Sequence, residues 1–162
     1  ENPFRDALRS ADIPDAVRVL PGGAERQDTV YRGLCALEGQ VDIVAIQDAA
    51  RPYTSHALLE ACVYAARQRG SGVAARPVTD TIKIADPQRR VISTPDRTTL
   101  WAAETPQVFE YSRLRKAYEE LLASGKHVTD DAQVLELAGE SVYLVAHEKR
   151  NTKITYASDL DG

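Results

Sequence analysis

A chain of 162 residues that is 43% hydrophobic and 27% charged has the makeup of one globular domain with a sizeable core. Its formal charge of −4 argues against long nucleic acids and acidic membranes as partners, and no apolar run approaches the roughly 18 residues of a membrane span. The cysteines, Cys35 and Cys62, stand in apolar-periodic segments and fit buried thiols in a reducing cytoplasm, while His56, His127 and His147 show no zinc spacing.

In chain order, Asn2 and Pro3 open a short helix through Ala11. "VRVL" (17–20) reads as a strand running into a turn at "PGG" (21–23). Val30, Leu34 and Leu37 recur at i, i+4, i+7 and predict a helix over 26–38. Residues 41–47 form a strand whose apolar run breaks abruptly into Gln47-Asp48-Ala49-Ala50-Arg51-Pro52. Leu58, Leu59, Cys62, Val63 and Ala66 predict a helix over 55–69, stopped by Gly70. A strand follows over 72–78. Residues 79–93 carry two β-patterned pieces around Asp86-Pro87-Gln88, a hairpin with Ile82 and Ile84 on one face and Thr81 and Lys83 on the other. Such a hairpin projects from the body and needs something else to bury its apolar face. Residues 94–109 read as a polar loop around Trp101, itself expected in the core. Helices are predicted over 111–123 and over 129–138, the second N-capped by Thr129, with a last strand over 141–147. This alternation predicts an α/β fold with a mostly parallel sheet. The chain has no methionine, and Ser158 has the pattern of an N-cap opening a helix that never develops, so the chain is expected to belong to a longer protein.

In open α/β sheets, ligands bind beyond the carboxyl ends of the strands, where Asp48 and Arg51 fall. A loop ion pair is the plainer reading of D-x-x-R alone. The Gly22-Gly23 turn runs into a helix N-terminus, whose N–H groups favour an anion or a nucleobase carbonyl. Arg97 and Thr105 lie in the polar loop, Thr129 at a helix start, and Lys153 in the extended segment "NTKIT". Each has an ordinary structural role available to it.

Taken in order, "GGAERQDTV", "DAARP", "DTIK", "DRTTLWAAETPQVF", "VTDDA" and "NTKIT" resemble the 2-C-methyl-D-erythritol 4-phosphate cytidylyltransferases of the non-mevalonate isoprenoid pathway. The resemblance implies a Rossmann-like nucleotidyltransferase fold, a single domain over 1–162 with a dimerisation arm at about 78–97. It implies a cytoplasmic enzyme, or a plastid one in a plant-like source. With CTP and a divalent cation, usually Mg²⁺, such an enzyme joins CMP to methylerythritol phosphate and releases pyrophosphate. By matching position, Gly23, Ala24, Thr29 and Ala49 would line the cytidine pocket, while Asp48, Arg51, Thr105 and Thr129 would hold the sugar alcohol. Arg97 and Lys153 would grip its phosphate, and Asp48 is the implied metal ligand. Thr81 and Arg97, on or beside the hairpin, would serve the site of a second copy in a homodimer. Gln47 stands where the family usually has histidine, Ala24 where an acidic residue is common, and Thr29 replaces serine. The family's first strand and its glycine-rich loop, with an arginine and a lysine, have no counterpart in these residues. Rival readings are a ribitol 5-phosphate cytidylyltransferase, a non-catalytic nucleotide-binding module, and a phosphoacceptor receiver domain. The last would need an acidic metal pair after an early strand, which is missing.

Overall fold

The computed structural model describes residues 17–160, so the helix expected over 2–11 lies outside the described residues. Four strands form the main sheet: β1 (Ile43–Ile46), β2 (Ser71–Pro77), β5 (Trp101–Glu110) and β6 (Leu144–Ala146), in the order β1-β5-β2-β6. β2 and β6 are parallel, whereas β5 runs antiparallel to both β1 and β2. Three strands therefore point one way and β5 runs against them, which makes the sheet mixed. The architecture is the expected Rossmann-like α/β arrangement.

The longest of these strands, β5, occupies the second half of what the sequence predicts as a polar loop; only Arg97–Thr99 ahead of it forms a 3-10 turn. The register explains the difference. Val73 pairs with Gln107 and Ala75 with Ala103, so Glu104, Thr105 and Pro106 together oppose Ala74. This bulge falls at a proline, which has no N–H for the ladder, and it breaks the alternation of the strand. Trp101, at the outer end of β5, is exposed rather than in the core. Residues 17–20 pair with no strand among the described residues, and Val17 and Leu20 are exposed.

Helices cover both faces. α1 (Arg26–Ala36) begins at Glu25, whose backbone N–H donates to Asp28 Oδ2 at 3.1 Å. α2 (His56–Arg69) starts where Ser55 accepts from the Leu58 N–H, and it stops at Gly70 in the left-handed region, φ 88°. α3 (Tyr111–Ser124) and α4 (Asp131–Leu137) follow β5. The N-cap of α4 is Asp130, whose carboxylate accepts from Gln133 N at 3.0 Å, and not Thr129. Thr129 stands one residue earlier, its own N–H donating to Gln133 Oε1. Leu34, Val44, Val73, Phe109, Leu114, Tyr118 and Leu135 form one core layer beneath α1, α3 and α4. Leu58, Cys62, Ala66, Ala74 and Val108 form the other beneath α2. Consecutive residues Val73/Ala74 and Val108/Phe109 divide between the layers, as period-two side chains must. A Cβ on Gly72 would meet the Cys62 carbonyl oxygen at 2.3 Å, so glycine lets α2 lie close on β2. Ser158 lies inside a 3-10 turn, Ala157–Leu160, rather than capping a helix. No helix among the described residues is long and apolar enough to cross a membrane.

Of the two thiols expected to be buried, one is and one is not. Cys62 is buried, and burial pushes it up to about 11, whereas Cys35 on the outer face of α1 is exposed. Alkylation of the native protein at about pH 8 should therefore modify Cys35 and spare Cys62, with both reacting after denaturation. Peptide mass spectrometry reads the outcome, and equal native reactivity would contradict this packing.

β3 (Ile84–Ala85) and β4 (Val91–Ser93) form a separate antiparallel hairpin. Its tip closes with Arg89 N–H donating to the Asp86 carbonyl, Arg89 at φ 64°, and Asp86 Oδ1 accepting from Gln88 and Arg90 N–H groups. Ile82, Ile84, Val91 and Ile92 are exposed, Ile92 at 65%, and nothing among the described residues covers them.

Candidate active site

The apolar run of β1 ends at Ile46, and the chain then turns sharply, the Arg51 N–H donating to the Asp48 carbonyl at 3.0 Å. Because Ile46 pairs with Gln107, the next residues along β1 come level with Thr105 on β5. The Asp48 N–H accordingly donates to the hydroxyl of buried Thr105 at 3.0 Å. The Ile154 N–H donates to the Ala50 carbonyl at 2.7 Å, which brings "NTKIT" alongside the same turn.

A ring of cations results. Asp48 Oδ2 lies 3.1 Å from Lys153 Nζ and 3.9 Å from Arg51 Nε, while Oδ1 lies 3.9 Å from an Arg26 guanidinium nitrogen. Arg51 donates through Nη1 to the Asn151 carbonyl at 2.7 Å, and its buried Nε has no hydrogen-bond partner. Arg26, at the first position of α1, reaches Asp131 Oδ2 at 2.5 Å. Asp131 is buried and also accepts from the Tyr118 hydroxyl. Burial first, and the Asp131 charge second, raise the Tyr118 phenol above its ordinary value, so it remains a neutral donor to that carboxylate. Partial burial works to lower the Arg26 guanidinium, but the Asp131 hydrogen bond and charge outweigh it and the net shift is upward.

Gln107 fixes the start of α4 against the sheet. Its Nε2 donates to Asp130 Oδ2 at 2.9 Å, and its Oε1 accepts from the Asp131 and Ala132 N–H groups. Thr129, exposed, immediately precedes this anchored turn. The Gly23 N–H donates to Thr29 Oγ1 at 2.9 Å, and that hydroxyl donates to the Glu25 carbonyl. Thr29 thus braces the glycine turn from within. A Cβ on Gly23 would sit 2.1 Å from Asp28 Cβ, so no other residue allows this close return of the chain. Ala24 and Ala49 are exposed at the mouth of their turns.

Of the residues singled out in the sequence, Asp48, Arg51, Thr105 and Lys153 meet directly. Gly23, Ala24 and Thr29 connect to them through Arg26, and Thr129 through the turn that holds Asp131. Thr81 and Arg97 lie on the arm. Arg97 Nη1 donates to the Thr79 carbonyl at 2.8 Å, and among the described residues neither bonds a member of the Asp48 cluster. Arg26, Glu104, Gln107, Asp131 and Asn151 were not anticipated. All five sit inside the quoted motifs, and for Asp131 the adjacent acids of "TDDA" are the available signal.

Among the described residues, no group of three His, Cys, Asp or Glu side chains could hold a metal. Asp48 offers a single carboxylate among three cations. A magnesium ion that takes most of its ligands from phosphate oxygens and water fits such a site. The arrangement suits a polyol phosphate: the carboxylate and threonine hydroxyls can take hydroxyl groups, and the cations can take phosphate oxygens.

A family model for 2-C-methyl-D-erythritol 4-phosphate cytidylyltransferase (IspD) matches residues 3–161. Curated proteins of that name include one from Desulforamulus reducens, 42% identical over 88% of this chain and 61% of its own length. Another, from Trichormus variabilis, is 41% identical over 97% of this chain and 69% of its own length. A solved 4-diphosphocytidyl-2C-methyl-D-erythritol synthase from Anaerococcus prevotii superposes with a TM-score of 0.86 at 33% identity, covering 98% of this chain and 72% of that one. The Thermus thermophilus 2-C-methyl-D-erythritol 4-phosphate cytidylyltransferase superposes with a TM-score of 0.80 at 29% identity, covering 98% and 85%. The chain thus spans about 61% of the length of the Desulforamulus relative.

Proposed function

This chain belongs to the 2-C-methyl-D-erythritol 4-phosphate cytidylyltransferase family, and from that membership we propose that the protein transfers CMP from CTP to 2-C-methyl-D-erythritol 4-phosphate in isoprenoid biosynthesis, releasing pyrophosphate. The observation that carries the proposal is the ring of Lys153, Arg51 and Arg26 around Asp48 at the carboxyl end of β1. Two anions must approach for an in-line displacement at phosphorus, so placement and positive charge are most of what a protein can contribute. In this acidic chain the cations are concentrated at one point. Asp48, Arg51, Thr105 and Thr129 hold the sugar alcohol. Lys153 acts on its phosphate as a point charge, and Arg97 from a second copy grips it with a fork. Gly23, Ala24, Thr29 and Ala49 line the cytidine pocket. When bound, Mg²⁺ would be held by Asp48 and phosphate oxygens and would neutralise triphosphate charge. The uncovered apolar side chains of the hairpin support an arm that packs on that second copy, in a cytoplasmic homodimer with the nucleotidyltransferase domain over 1–162.

The test uses the full-length protein with CTP and magnesium. Pyrophosphate should appear with methylerythritol phosphate and not with ribitol 5-phosphate. Release with ribitol 5-phosphate alone would reassign the substrate, and release with neither would overturn the activity.

A further inference from the structure

Behind the Asp48 ring lies a second, buried acid, inside the motif "DRTTLWAAETPQVF" but given no role by it. Glu104 stands in the bulge of β5 with its side chain 3% exposed. Its Oε1 accepts from Arg76 Nε at 2.7 Å, and its Oε2 accepts from Asn151 Nδ2 at 2.8 Å. The same Oε2 lies 3.1 Å from His147 Nε2 and 3.6 Å from Arg51 Nη1. A carboxylate this deep is retained only where cations and donors surround it, and removing its charge leaves those partners uncompensated.

We propose that Glu104 is a positioning residue for the site: it sets Arg51 and Asn151, and through Asn151 the segment that carries Lys153. The hydrogen bonds run outward from it in short steps. Asn151 Nδ2 also donates to the Thr105 carbonyl at 2.8 Å, and its Oδ1 accepts from the Thr54 hydroxyl at 2.8 Å. The Asn151 carbonyl accepts from Arg51 Nη1. Thr105 in turn accepts the Asp48 N–H, and Ala50 accepts the Ile154 N–H. The guanidinium of Arg51 is therefore held from behind, at Nη1, while its buried Nε faces the Asp48 side without a partner. An orphaned buried donor is costly, so this orientation is imposed by its surroundings rather than chosen by the side chain. Glu104 and Asn151 are the groups that impose it. Among the described residues no hydrogen bond or ion pair joins Glu104, Asn151 or Arg51 to the Gly23 turn, so the effect falls on the sugar-phosphate side of the reaction.

Which substrate is affected rests on the function proposed above; how Arg51 is held does not. Glu104→Gln keeps the size but offers one acceptor oxygen where several donors converge, turning an amide NH₂ toward a donor. In the full-length protein the Arg51 Nε–H should give a resolved, slowly exchanging ¹H–¹⁵N resonance that broadens in Glu104→Gln. kcat/KM for methylerythritol phosphate should fall by on the order of 100-fold, the scale of a misplaced substrate-positioning group. KM for CTP should stay within about twofold. A folded variant with an unchanged Arg51 resonance, or with equal losses against both substrates, overturns the proposal. If Glu104→Gln does not fold, Glu104→Asp, which keeps the charge but draws it back from Asn151 and Arg51, is read by the same two measurements, with the same outcomes deciding. A wild-type protein that turns over neither substrate sinks the proposed activity, and the Arg51 resonance then decides the role of Glu104 alone.

Discussion

Asp48→Asn is expected to lower kcat/KM by roughly 100- to 1,000-fold in the full-length protein while leaving its melting temperature nearly unchanged. The change preserves shape. It replaces the one anion at the centre of the ring with a neutral amide, so Lys153 loses its paired charge and Arg51 and Arg26 lose the carboxylate they share. The amide cannot accept at both positions, so a substrate hydroxyl loses its orienting acceptor and a phosphate is drawn to cations that are no longer aimed. Stability should hardly respond. Only the Lys153 pair is at contact distance, and that lysine is half exposed; such a pair contributes about 0–1 kcal/mol. Steady-state kinetics and a thermal melt on the same preparation separate the two effects. Full activity would mean that Asp48 is only a loop ion pair. A large drop in melting temperature would mean that it serves the fold.

The contrast between Asp48 and Glu104 marks how far the sequence is legible. Asp48 is visible because the apolar run of β1 stops at it, and its partner Arg51 is three residues away on the same turn. α2 is visible for similar local reasons, from its apolar period to a glycine stop. Glu104 sits among "AAETPQVF", where Pro106 and the bulge destroy the strand period, so the longest strand of the sheet reads as a loop. Its partners come from Arg76, His147 and Asn151, tens of residues away in both directions. A buried polar residue is tolerated only because of those long-range bonds, and no window of sequence contains them.

Helix starts show the same limit at shorter range. Thr129 and Asp130 are both good N-caps, and the sequence alone cannot choose between them. Gln107 chooses: its amide ties Asp130 and the Asp131 N–H to β5, which fixes the turn one residue later. Arg26 is a similar case. On a helical wheel it is a surface residue at the start of α1, and only the fold brings Asp131 to it across 105 residues of chain. Residues 17–20 fail for the opposite reason. Alternating valines predict a strand, but a strand exists only where a neighbour supplies hydrogen bonds, and the described residues supply none there.

The arm carries the other large effect. Arg97→Ala and Lys153→Ala should each be nearly inactive in the full-length protein, and mixing the two under conditions of subunit exchange should restore activity. Lys153 belongs to the Asp48 ring of its own chain. Arg97 lies at the base of the hairpin, bonded to Thr79, with the exposed Ile82, Ile84, Val91 and Ile92 beyond it. If that apolar face packs on a second copy, each site takes Lys153 from one chain and Arg97 from the other. A mixed dimer then has one site lacking both cations and one lacking neither. With equal amounts and random pairing about half of the dimers are mixed, so roughly a quarter of all sites should recover. Arg97→Ala also removes the bond to the Thr79 carbonyl, so sedimentation must first establish that this variant still dimerises. Proven exchange between intact dimers with no regained activity would mean that the arm folds back on its own subunit, and that Arg97 serves no shared site.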